Sequence, residues 1–132
     1  NDIKFFVVDR DPRDIFVLEK YVWKDGVIPN NVEDFCKWFK YTRAHRKTEL
    51  FDDKMVCFIQ FEDMVYKYDE TTKKIANWLG FELKEQTKKK QYFDPSRSIN
   101  NTYTWKKVKC NLAEIEYIEN ELGEYLYSFP SN

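Results

Sequence analysis

The sequence predicts a mixed α/β fold with a parallel sheet, and three observations predict it. Two short apolar runs, FFVV at residues 5–8 and MVCFIQF at 55–61, have the length and unbroken character of strands buried on both faces. Each run is followed by apolar residues at helical spacing. Capping chemistry stands where one periodicity gives way to the other. Strands alternating with helices in this way make an α/β arrangement.

Taken in order, the first strand runs into DRDPRD. Asp11 is placed to cap a helix, Pro12 fits its first position, and Asp14 falls near the third. Ile15, Leu18 and Val22 continue at helical spacing, so this helix is expected to reach about Trp23. KDGVIPNN then reads as a loop. Asn31 caps a second helix with Val32, Phe35, Phe39 and Thr42 on one face, and Lys40, Arg43, Arg46 and Lys47 mostly beside or opposite it. After the second strand, a helix is expected over about 69–79, with Ile75, Trp78 and Leu79 inward and Gly80 at its C-terminal stop. Residues 84–104, with a KKK run at 88–90, read as irregular. The last helix opens on a capping box, Asn111 with Glu114, and carries Leu112, Ile115, Ile118, Leu122 and Tyr125 as its apolar stripe.

Composition excludes several classes. With 22 basic and 23 acidic residues the net charge is −1, so no global field points to nucleic acid. No stretch is long and apolar enough for a transmembrane span, and no signal peptide is visible. The three cysteines are widely spaced and lack a metal-ligand pattern, which reads as plain thiols in a reducing, cytoplasmic compartment. No metal is expected. His45, the only histidine, reads as a helix-end residue. Two strands of the buried kind do not make a stable parallel sheet by themselves. The chain is therefore expected to be part of a larger α/β domain, whose other strands lie upstream or on a partner chain.

The charged cluster after the first strand has two readings. In open α/β sheets ligands bind beyond the carboxyl ends of strands. Arg10 lies just past such an end, beside a helix start, where a guanidinium grips phosphate through paired charge-assisted hydrogen bonds. Asp11 and Asp14 would cap the helix, and Asp9 or Asp14 would orient the arginines. The other reading is a solvated helix start whose charges cancel in surface pairs of small energetic weight.

FFVVDRDPRDIFVLEKYVW resembles the segment of the PAPS-dependent sulfotransferase family that binds the 3′-phosphate of 3′-phosphoadenosine 5′-phosphosulfate (PAPS). VCFIQFEDMVYKYDETTKKIANWLGF is similar to the family's second conserved strand, its acidic pair and the following helix. YFDPSRSINNTYTW is similar to its C-terminal nucleotide-covering loop, and the resemblance spans residues 3–107. It implies a P-loop-NTPase-like parallel sheet flanked by helices, with residues 1–132 as the C-terminal portion of one three-layer α/β/α domain. It implies PAPS as donor and sulfuryl transfer to a hydroxyl or amine on a small-molecule or carbohydrate acceptor. Arg10 takes the place of the 3′-phosphate arginine, Phe61 stands near the adenine, and Arg97 and Ser98 fall at the second 3′-phosphate group. Trp105 belongs to the covering loop, and Glu62 and Asp63 are the acidic pair, which as residues read equally as turn and cap formers. The resemblance assigns no catalytic residue to this chain. Leu18 stands where the family carries a serine, and with only Gly26, Gly80 and Gly123 the chain has no glycine-rich 5′-phosphosulfate loop. A non-catalytic nucleotide-binding or interaction domain of the same fold, and a P-loop kinase relative, are the alternative readings.

Overall fold

The computed structural model describes residues 3–46, 54–83 and 90–131. The expectations for Lys47 and for residues 84–89 lie outside these. The chain is mixed α/β and divides into two compact units. The first comprises residues 3–9, 54–83, 90–101 and 129–131, and the second residues 10–46 and 102–128.

In the first unit, β1 (Phe5–Asp9) and β2 (Val56–Gln60) form a two-stranded parallel sheet, paired from Phe5↔Val56 to Asp9↔Gln60. Both strands therefore end level at their carboxyl ends. Burial on both faces is not what these strands show. Cys57 and Ile59 are buried, but Phe5, Phe6 and Val8 on β1 and Phe58 on β2 are exposed. An unbroken apolar run reports strand character but not which faces find cover, and α3 (Phe61–Tyr66) and α4 (Tyr68–Leu79) pack mainly on β2. Trp78 of α4 meets Phe6 edge-on at 5.1 Å.

The helix expected over 69–79 is thus preceded by another. Phe61 leaves the strand to begin α3, and Thr71 Oγ1 donates to the Asp63 carbonyl at 3.1 Å across the junction. The buried residues of α4 are Thr71 and Ala76, while Ile75, Trp78 and Leu79 are half-buried. Gly80 adopts φ 78° and closes the helix, with Phe81 N–H reaching the Ala76 carbonyl at 2.8 Å.

Residues 90–104 are more regular than expected. Asp94 caps α5 (Pro95–Ser98), a 3₁₀ turn follows at Ile99–Asn101, and α6 (Thr104–Lys107) belongs to the second unit. Asp94-Pro95 is a helix-start signal of the same kind as Asp11-Pro12.

In the second unit, α1 (Pro12–Val17) widens into a π-helical turn, Leu18–Trp23, in which Lys24 N–H reaches the Glu19 carbonyl at 2.8 Å. Glu19 is buried and accepts the Gly26 N–H at 2.6 Å. Asn31 caps α2 (Val32–Ala44) through the amides of Glu33 and Asp34. Phe16, Phe35, Cys36, Phe39, Ile118 and Leu122 form the core between α1, α2 and α7 (Leu112–Glu121). Arg43 does not lie opposite this face, since its guanidinium sits 3.5 Å from the Phe39 ring centre.

Asn111 caps α7 by accepting the Ala113 N–H at 3.0 Å. Glu114 does not complete a capping box. Its carboxylate accepts from Lys20 and from Tyr21 Oη, so a tertiary contact replaces the local one. Leu112 is 72% exposed and stands outside the apolar stripe.

Candidate functional site

Arg10 directly follows β1 and opens the second unit. Its side chain is 17% exposed, with Nη2 4.0 Å from Oδ2 of Asp14. Asp14 is fully buried. Its Oδ1 accepts the Thr104 N–H at 2.6 Å and the Thr104 hydroxyl. Asp14 is therefore no cap: it ties α1 to α6. Burial pushes its carboxyl above the ordinary range, against the two Thr104 hydrogen bonds and Arg10, which pull the other way.

Asp11 is the cap, and it is equally buried. Its Oδ1 accepts the Arg13 N–H at 2.9 Å and Arg13 Nε at 3.0 Å. Its Oδ2 accepts Arg13 Nη2 at 2.7 Å and the Tyr127 N–H at 2.9 Å. Arg13 also donates to Glu119 at 2.8 Å and lies 4.0 Å over the Trp105 ring. Burial works against the Arg13 charge, yet Asp11 and Glu119 outweigh it and hold the guanidinium above its ordinary value. Trp105 is 6% exposed with Arg13 on its face, which makes it part of the packing of this unit.

The two arginines of DRDPRD thus have different surroundings. Arg13 is closed into an ion-pair and cation–π hub. Arg10 has its Nη2 4.0 Å from the Asp14 carboxylate and part of its side chain in solvent. Leu18 is 8% exposed and packed inward, and offers no hydroxyl.

The first unit brings the other three expected residues close together. Arg97 and Ser98, on the one turn of α5, line a cavity of about 410 Å³ with Lys90, Tyr92, Phe93 and Asn101. Phe61 begins α3 where β2 ends, and meets Phe93 edge-on at 6.3 Å. Phe93 in turn lies parallel to Tyr68, with ring centres 6.4 Å apart. The cavity therefore has two cations, Lys90 and Arg97, one carboxylate, Asp94, the Ser98 and Tyr92 hydroxyls and an aromatic wall, a chemistry that suits a polar group joined to a planar ring. Glu62 is fully buried and accepts from Gln60 Nε2 at 2.9 Å, in keeping with a structural role for the acidic pair.

The remaining chemistry-bearing groups are quiet. Cys36, Cys57 and Cys110 are free, and burial pushes the Cys36 thiol up to about 11. His45 ends α2 with Nδ1 2.7 Å from the Tyr41 carbonyl. No cluster of metal-ligating side chains, and no helix long and apolar enough to cross a membrane, occurs among the described residues. No protein-family model and no curated protein matches the chain.

The Thr104 contact to Asp14 was not legible beforehand, because 90 residues separate the partners. The aromatic wall had a local signal, the YF pair ahead of Asp94-Pro95.

Proposed function

We propose that the chain is the donor-binding portion of a sulfotransferase-family domain with a P-loop-NTPase-like, three-layer α/β/α architecture. It binds the 3′-phosphoadenosine side of PAPS for sulfuryl transfer to a hydroxyl or amine on a small-molecule or carbohydrate acceptor. Arg10 donates to the 3′-phosphate, Phe61 stacks near the adenine, and Arg97 and Ser98 supply the second phosphate group. The acceptor's base and the 5′-phosphosulfate loop come from the rest of the domain or from a partner chain.

One observation carries this reading. The local structure that the motif requires is formed: β1 ends at Asp9, Arg10 follows, and Asp11 caps a helix with Pro12 at its first position. Asp9 pairs with Gln60, so β1 and β2 end at the same level within the first unit. The lining of the α5 cavity supports the assignment of Arg97 and Ser98.

Leu18 favours a second reading. A leucine here offers no hydroxyl contact of the kind the family pattern carries, as in a nucleotide-binding domain of the same fold without turnover. Calorimetric titration with 3′-phosphoadenosine 5′-phosphate, alongside ATP, tests the binding site common to both. Charge-assisted hydrogen bonds contribute about 1.5–3 kcal/mol, so Arg10→Ala is expected to weaken binding roughly tenfold to more than a hundredfold. Equal affinity of folded wild type and Arg10→Ala, or a preference for ATP, defeats the assignment. Turnover with PAPS by the protein within its full domain separates the transferase from the binding domain.

A further inference from the structure

The segment from Lys90 to Phe93 precedes the Asp94 cap of α5, and its two ends rest on one ring. Lys90 Nζ lies 5.5 Å over the Tyr68 ring, and Phe93 lies parallel to that ring with centres 6.4 Å apart. Phe61 meets Phe93 edge-on at 6.3 Å. Phe93 is thus a braced, half-buried ring whose remaining surface lines the α5 cavity. Gln91, between the two ends, is exposed and lines the same cavity. The charges there are graded along the chain. Near Phe93, Lys90 and Asp94 have opposite charges that attract one another, and Asp94 bonds to Ser96. That end has little net charge and suits an uncharged planar group. Arg97 adds a surplus positive charge one turn further on, where a phosphate is favoured.

From this arrangement we propose that Phe93 is the platform on which the adenine of the donor stacks, and that Gln91 reads the edge of the base. The proposal rests on the reading of the chain as the donor-binding portion of its domain. A ring already held by two others loses little freedom when a base settles on it. Stacking alone does not select, because every base has a π face. Selection needs an edge contact. A glutamine amide carries a donor and an acceptor side by side, and these match N7 and the N6 amino group of adenine. Hypoxanthine and guanine place the O6 acceptor beside N7, against the amide oxygen, so the paired contact is lost. Phe61, at the end of β2, stays near the base as the ring that braces the platform.

The test has two arms, so that its failure and that of the function are told apart. The first is titration of the intact protein with 3′-phosphoadenosine 5′-phosphate, its inosine counterpart and ribose bisphosphate without a base. Phe93→Leu is expected to weaken adenosine bisphosphate binding roughly fivefold to more than a hundredfold, the range of base stacking on an aromatic ring. The base-free ligand is expected to bind this variant and wild type alike. Tyr92→Ala, at the 88% exposed neighbour, is expected to cost less than Phe93→Leu. Gln91→Ala, at an exposed position, keeps the fold and is expected to abolish a preference of roughly fivefold or more for adenosine over inosine. The second arm uses adenosine alone, followed through the NMR signals of the Phe93 ring and the Gln91 side-chain amide, both of which are expected to move. Bisphosphate binding unchanged in folded Phe93→Leu, or a base preference unchanged in Gln91→Ala, overturns the proposal and leaves the donor-site reading in place. Should adenosine move both signals while wild type shows no preference for 3′-phosphoadenosine 5′-phosphate over ATP, the base platform stands and the donor-site reading falls.

Discussion

Asp11-Pro12 and Asp94-Pro95 open helices in different units with the same two residues, and the two starts end up with opposite characters. Asp94 is partly exposed and spends its carboxylate locally, on the Ser96 N–H at 2.9 Å and the Ser96 hydroxyl at 2.7 Å. Asp11 is fully buried and collects donors from Arg13 and from Tyr127. The difference teaches that a cap motif specifies where a helix starts, but not how much depends on it. Sequence distance to the partners decides that. Ser96 lies two residues on, whereas Tyr127 lies 116 away.

Removing the Asp11 carboxylate gives the largest expected effect. Asp11→Ala strands the Arg13 guanidinium, and breaking a buried pair costs about 3–5 kcal/mol. Urea unfolding is expected to show that loss as a lower midpoint. A shift as small as that of an exposed cap variant would erase the contrast between the two starts.

Leu18→Ser should follow. Truncating a buried leucine costs about 2–5 kcal/mol, and Leu18 continues the helix that Asp11 caps. Nucleotide affinity of the folded fraction is expected to stay flat. Tighter binding would mean that the hydroxyl reaches the phosphate and that the inward packing is wrong.

The acids also differ in the sign of their pH dependence. Burial raises the Asp14 carboxyl, so the folded state holds a proton that the unfolded state has released. Its contribution is fully present below the ordinary carboxylate value and is lost as pH rises through the elevated one. The Ser96 hydrogen bonds hold Asp94 below the ordinary range, so its contribution is present above that range and lost as pH falls through the depressed value. Stability curves against pH for Asp14→Asn and Asp94→Asn are expected to lose slopes of opposite sign. Slopes of the same sign would show that one of the two environments is misassigned.

The smallest effect belongs to Asp94→Ala. The melting temperature should barely change, while hydrogen exchange speeds up at the Arg97 and Ser98 amides, which bond to the Asp94 carbonyl. A global loss of protection would make this start as consequential as the first.

What could be read from the sequence follows the same division. The helix start at Pro12, the Asn31 and Asn111 caps and the Gly80 stop are local, and each formed where its chemistry stood. The turn that carries Arg97 and Ser98 was missed, although Asp94-Pro95 is a local signal of the same kind as Asp11-Pro12. Other misreadings arose where a distant partner won. Glu114 left its capping box for Lys20 and Tyr21, and Asp14 left the helix start for Thr104. The exposure of Phe5 and Val8 depends on which helices cover the sheet, and no property of the run itself encodes that.

The bond from Tyr127 N–H to Asp11 has a consequence for the order in which the protein is made. Residues 10–46 and 102–128 share one core, and Ile118 and Leu122 close it over Phe16 and Phe35. A ribosome delivers the first half of that core long before the second. Through the synthesis of the intervening segment, Phe16, Phe35 and Phe39 have no α7 to cover them, and Asp11 lacks one of its donors. Contacts so distant in sequence slow folding and prolong the exposure of apolar surface. A nascent chain stalled before Leu112 is expected to be cleaved readily in residues 10–46 by a protease, and one released after Tyr127 to resist it. Translation of this protein thus has a vulnerable interval whose length is set by the insertion of one unit's sequence within the other's.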